Sequence, residues 1–175
     1  GAVGLIADAD DAITGLAREG HMAILIGETN GHLGQSALLA EVFNRVEGDA
    51  PPVDLEAEKK HGEFIRTNSA WITACSDLSD GGLALAAFEM AEAANVGVSL
   101  DTEGTAELFG EDQARYLVAC NFDQAEALLA AAGNLGVPAT CVGRFGGTQV
   151  SFGAQQAELS ELSSIFRNSF ADAVT

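Results

Sequence analysis

Basic residues are scarce in this chain. It carries 8 Lys and Arg against 26 Asp and Glu, a formal charge of −18 over 175 residues. Binding to nucleic acid needs a basic face to meet phosphates, and none can be assembled here. Docking on an anionic membrane surface is excluded on the same ground. Histidine and cysteine are scarce too. His21, His32 and His61 show no ligand spacing, and Cys75, Cys120 and Cys141 lie far apart in apolar runs. No disulfide framework or thiolate metal site follows, and the cysteines read as buried free thiols of a reducing cytoplasm. No apolar run reaches membrane-spanning length, and no stretch reads as a signal peptide. Walker A, GxGxxG and GxSxG patterns are absent, and no serine has a nearby histidine with an orienting acid. No residue is a candidate catalyst.

What is present is a globular composition, 47% apolar, long enough for one domain with a real core. Aromatics are only 6%, and the many alanines and glycines suit helices packed closely on a sheet. Residues 2–8 read as a strand without local partners, followed by a turn at Asp8, Asp10 and Asp11. This abrupt apolar start reads as a cut inside a longer protein. Residues 13–18 read as a short helical turn and 22–27 as a buried strand. Leu38, Leu39, Val42, Phe43 and Val46 fall at helical spacing and predict a helix over 35–46, stopped by Gly48-Asp49-Ala50-Pro51-Pro52. Asp54 is the expected cap of a charged helix running to about Asn68. Strands follow over 71–75, 96–100 and 115–120, with helices over 84–94 and 123–132 and a helical turn at 105–109. Residues 140–144 and 148–152 predict a hairpin around Gly146-Gly147. Leu159, Leu162, Ile165, Phe166 and Phe170 mark a last amphipathic helix. The hairpin requires antiparallel pairing, so the expected fold is α+β, a mixed, mostly antiparallel sheet packed with helices.

One stretch organises the chain. Ser76-Asp77-Leu78-Ser79-Asp80-Gly81-Gly82-Leu83 follows a strand and opens a helix. The first N–H groups of a helix lack partners and carry the positive end of its dipole, which favours an anion. Two glycines leave no Cβ in the way of a bound group. Two readings stand: a start capped by Ser79 or Asp80, or a phosphate site built on Ser79, Asp80, Gly81 and Gly82. A second polar loop, 28–36, offers Gly34 and Ser36 ahead of the predicted 35–46 helix. A third, 109–115, offers Glu111, Gln113 and Arg115 to a polar or phosphorylated ligand. Its bland reading is a solvated loop with one surface ion pair. Asp77 and its acidic neighbours offer Mg²⁺ a site beside a phosphate, although chance placement is the default in so acidic a chain.

The same stretch, through Ala84 and with Glu89 beyond it, resembles the D-x-S-D-G-G-L-A…E signature of phosphoribosylformylglycinamidine (FGAM) synthase, synthetase subunit. Leu25-Ile26-Gly27-Glu28-Thr29 with Gly31, Gly34 and Ser36 is a second match. Pro52-Val53-Asp54-Leu55-Glu56 with Glu58-Lys59-Lys60 is a third. Leu108-Phe109-Gly110-Glu111 with Arg115-Tyr116-Leu117-Val118 is a fourth. All stand in the family's order over about residues 20–145, and the resemblance is to the C-terminal quarter of the synthetase.

The resemblance implies a C-terminal domain of the aminoimidazole ribonucleotide synthase-like superfamily. It makes residues 1–20 a remnant of a preceding ATP-binding domain plus linker, and 21–175 the C-terminal α+β domain. The implied reaction converts formylglycinamide ribonucleotide to the amidine with ATP and glutamine-derived ammonia. ATP and Mg²⁺ belong to the full enzyme, with no cofactor assigned to this fragment, which is expected to be inactive alone. Implied partners are the preceding synthetase domains, a glutaminase subunit and a small accessory subunit, with no nucleic acid and no membrane. The family's substrate segment E-S-Q-E-R corresponds to 111–115, where Asp112 stands for Ser and Ala114 for Glu. That departure implies a structural or auxiliary half. Residues 168–175 read as a natural terminus, which implies the small-type enzyme. Two alternatives stay open. One is a non-catalytic docking module in which the glycine turn is only tight packing. The other is a relative such as a hydrogenase-maturation protein, thiamine-phosphate kinase or selenophosphate synthetase, against which 52–56 argues.

Overall fold

Period-two alternation assigns each central strand its two faces. Strand β1, Met22–Ile26, sends Ile24 and Ile26 to one side of the sheet and Ala23 and Leu25 to the other. Strand β4, Tyr116–Cys120, divides likewise, with Val118 and Cys120 opposed to Leu117 and Ala119. Five further strands complete the sheet: β2 (Ile72–Asp77), β3 (Val98–Leu100), β5 (Ala139–Phe145), β6 (Gln149–Phe152) and β7 (Gln155–Glu158). The computed structural model describes residues 4–9 and 12–174, and orders the strands β2-β4-β1-β5-β3-β6-β7. Every pairing is antiparallel except β3 with β6. This is the mixed, mostly antiparallel α+β fold the sequence predicts.

Helices cover both faces. Helix α1, Leu55–Thr67, buries Phe64 and Ile65 on one side beside Leu128 and Ala132 of α4, Phe122–Leu135. Helix α2, Gly82–Ala94, lies on the other, and its Ala84, Ala87 and Ala91 let the backbone approach the strands. The short α3, Thr105–Phe109, and the last helix α5, Leu159–Ala173, share that side. Asp54 caps α1 as its spacing predicts, with Oδ1 accepting the amides of Glu56 and Ala57 at 3.0 Å each. Among the described residues no helix is long and apolar enough to cross a membrane.

Four local expectations are corrected. Residues 140–144 and 148–152 do not form a hairpin, because β3 enters between β5 and β6. The glycines clear its way: Gly146 donates to the Gly97 carbonyl at 2.7 Å and Gly97 to that of Gly147 at 2.8 Å. The true hairpin is β6–β7, which turns at Gly153-Ala154 with Gly153 at φ +56°. The helix over 35–46 shrinks to one π-helical turn, Leu38–Val42, that buries no residue. Gln35 and Asn44 sit at φ +58° and +51°, which breaks a regular helix at both ends. Residues 13–18 are not helical. Thr14 bridges the edge of β2 instead, its carbonyl accepting the Cys75 amide at 2.9 Å. Within 2–8, residues 4–8 form no strand, and Leu5 and Ile6 are exposed. Residues 2 and 3, Asp10 and Asp11 lie outside the described residues.

Candidate functional site

The polar residues singled out from the sequence converge at the loop between α3 and β4. Its two carboxylates reach into the two other polar loops. Glu111 Oε1 accepts the Gly81 amide at 2.9 Å and the Ala37 amide at 2.8 Å. Asp112 accepts three consecutive amides: Asn30 at 3.0 Å and Gly31 at 2.9 Å on Oδ2, and His32 at 3.2 Å on Oδ1. The backbone donors that could receive a phosphate are therefore held by carboxylates of the chain itself. The start of α2 has no side-chain cap from Ser79 or Asp80, which corrects that expectation. Its cap comes from Glu111, 30 residues downstream.

Arg115 neutralises this acidic knot from inside. It is 1% exposed, with Nη1 2.8 Å from Thr29 Oγ1 and 3.6 Å from Asp112 Oδ2, and Nη2 donating to the Gly110 carbonyl at 2.9 Å. Only Nε has no partner. Burial pulls its pKa down and Asp112 opposes that shift. The guanidinium joins segments at 29, 110 and 112 instead of reaching out to a ligand.

The loop needs an unusual backbone. Ala114 sits at φ +58°, in the left-handed region that costs an L-residue about 1 kcal/mol or more. Helix α1 holds it there from one face. Glu58 Oε1 accepts its amide at 2.8 Å, and His61 Nδ1 donates to its carbonyl at 2.7 Å. The other oxygen of Glu58 accepts the Tyr116 hydroxyl at 3.0 Å. Burial first, then Glu58, pushes Tyr116 up to about 12. Gly27 and Gly82 make room: a Cβ on either would fall onto the carbonyl oxygen of Ala114 or Gly110 respectively.

The predicted residues thus separate into two groups. Glu111, Arg115, Gly81 and Gly82 meet at the clasp, and Ser36 is buried beside it, its Oγ accepting the Leu39 amide at 3.3 Å. Gly34 packs against the backbone of Asp49. Asp77, Ser79, Asp80 and Gln113 are exposed. Gln113 lines a cavity of about 550 Å³ with Glu28, Asp54, Glu56 and Lys60, an acidic surrounding ill suited to a phosphate. Among the described residues no three His, Cys, Asp or Glu side chains are grouped to hold a metal, so Mg²⁺ does not fit here and Asp77 gains no ligand partners. Sequence reasoning missed Glu58, His61 and Asp112. The only available signal was the three-residue spacing of Glu58 and His61, which puts both on one helical face.

Residues 18–153 match the model of the AIR synthase related protein, C-terminal domain, and the chain belongs to that family. It is 67% identical over 174 residues to phosphoribosylformylglycinamidine synthase subunit PurL of Ruegeria sp. (strain TM1040), and 66% identical to that of Roseobacter denitrificans. Each match covers 99% of this chain and 24% of the relative, so the chain spans about a quarter of the length of these curated relatives. T. maritima PurL complexed with FGAR superposes with a TM-score of 0.73 at 18% identity, over 89% of this chain and 30% of that one. Thiamine-monophosphate kinase from Stenotrophomonas maltophilia superposes less well, with a TM-score of 0.58 at 20% identity over 84% of this chain and 54% of that one. The fold is common to both.

Proposed function

We propose that the chain is the C-terminal domain of an FGAM synthase synthetase subunit and that it works there as a scaffold. The observation that carries this reading is the 67% identity spread over 99% of the chain. In the proposed whole enzyme, ATP, Mg²⁺ and glutamine-derived ammonia convert formylglycinamide ribonucleotide to the amidine in cytoplasmic purine biosynthesis. A glutaminase subunit and a small accessory subunit are the proposed partners, in keeping with a solved structure named PurLQS. Residues 1–20 are the proposed connection to a preceding ATP-binding domain, which agrees with the exposure of Leu5 and Ile6.

The scaffold role rests on the clasp. Glu111 and Asp112 use the amides that a ligand phosphate would need, and Arg115 spends its donors internally. A phosphate-binding role for Ser79, Asp80, Gly81, Gly82, Gly34, Ser36, Glu111, Gln113 and Arg115 is the competing reading. Titrating the full-length subunit and its Glu111→Gln variant with substrate and ATP separates the two. Scaffold residues leave the KM for either substrate within about twofold while stability falls. A KM rise of about tenfold or more in a fully folded variant would reinstate the ligand reading. Failure of the wild-type subunit to form amidine with ATP and ammonia would remove the proposed activity itself.

A further inference from the structure

Two apolar faces of this chain meet without covering each other. The π-helical turn Leu38–Val42 buries nothing, although its apolar residues recur at helical spacing through Phe43 and Val46. Helix α5 leaves Ile165, Phe166 and Phe170 outward, although Phe166 packs edge-to-face on Phe88 of α2 at 5.4 Å. Between them runs an open groove of about 500 Å³. Leu38, Val42, Leu85, Phe109, Ile165 and Phe166 line it, and its walls are apolar almost throughout. Val42 is 68% exposed, Ile165 64% and Phe170 78%, far beyond the scattered single apolar residues a free surface carries.

We infer that this groove is the seat of an apolar segment from the remaining three-quarters of the same polypeptide. The inference rests on the reading that the chain is one domain of a longer subunit. The relatives that match 99% of this chain extend it about fourfold, so ample tethered polypeptide is available. A tethered segment meets the groove at an effective concentration in the millimolar range, which a separate partner seldom reaches. A second copy is the weaker occupant, because bringing together two chains of formal charge −18 sets like charge against like. The occupant would present bulky aliphatic or aromatic side chains, since the groove offers few polar partners.

The test places a photo-crosslinking p-benzoylphenylalanine at Val42, and separately at Ile165, in the full-length subunit. Equal amounts of ¹⁴N- and ¹⁵N-labelled protein are mixed, irradiated and mapped by mass spectrometry. The expected product joins either position to an apolar residue outside these 175, within one isotopic species, with a yield unchanged on about tenfold dilution. A mixed-isotope product would replace the inference with a dimer. A product to a co-purified subunit, products confined to these 175 residues, or none would overturn it as well. The readout is independent of turnover. An inactive subunit with the expected product refutes only the proposed activity, and an active one without it refutes only the docking.

Discussion

The carboxylate of Glu111 stands 2.9 Å from the amide of Gly81 and caps helix α2 from 30 residues away. The same oxygen takes the Ala37 amide. Removing it strands two part-buried donors at once. Glu111→Ala should cost about 2–3 kcal/mol in chemical denaturation, and Glu111→Gln less, because the amide oxygen still accepts. Equal losses for the two variants would show that charge, not acceptance, matters there.

Ala114 gives a second expectation. Its φ of +58° suits glycine, whereas glycine also loosens the unfolded chain. Ala114→Gly should leave stability within about 1 kcal/mol of the parent. Ala114→Val should lower it by more than about 1 kcal/mol, since a β-branched residue tolerates this region least. Paired denaturation curves decide it.

At Gly82 the space is closed as well as the conformation. With φ at +60° and Gly110 against the Cα, Gly82→Ala should cost about 1–3 kcal/mol. The loss should appear as a lower denaturation midpoint, with wild-type turnover in whatever full-length protein remains folded. Selective loss of turnover in a stable variant would contradict a packing role.

Thiol chemistry offers a direct check of burial. Cys75 and Cys120 are both pushed up to about 11, chiefly by desolvation, with Asp77 adding at Cys75 and Cys141 at Cys120. At about pH 8 only roughly one in a thousand of each is thiolate. Iodoacetamide should label them at least about 100-fold more slowly than an unfolded control, read by peptide mass spectrometry.

His21 sets an acid limit. Burial, then Arg18, holds its pKa below the ordinary 6.5, against an opposing hydrogen bond from Asn121. The unfolded chain therefore binds this proton more readily than the fold does. Stability from the neutral ring is complete above pH 6.5 and is lost as pH falls through the lower folded value. His21→Gln should flatten the stability profile between about pH 7 and 5.

The features legible in the sequence are those decided by neighbours. Asp54 caps the helix that starts beside it, and 3.6-residue spacing marks Leu83, Ala84, Ala87 and Ala91 as one inward face. The hairpin around Gly146-Gly147 was misleading because glycine pairs serve tight turns and close strand approaches alike. Only the distant residues 97–100 decide between those uses. The apolar spacing over 35–46 is real, but the chain supplies nothing for it to pack against. Within the site, the residue types of 109–115 were readable as a set. Their partners lie 30 to 86 residues away, beyond any local pattern.

Strand β3 is three residues long, yet it alone links β5 to β6 in the sheet. Everything after Phe145, the β6–β7 hairpin and α5, hangs on Val98–Leu100 and on the contact of α5 with α2. This end of the molecule can therefore come away as one cooperative unit while β1, β4 and β5 stay paired. Native-state hydrogen exchange would show amides of β3, β6 and β7 opening together at a lower free energy than those of β1.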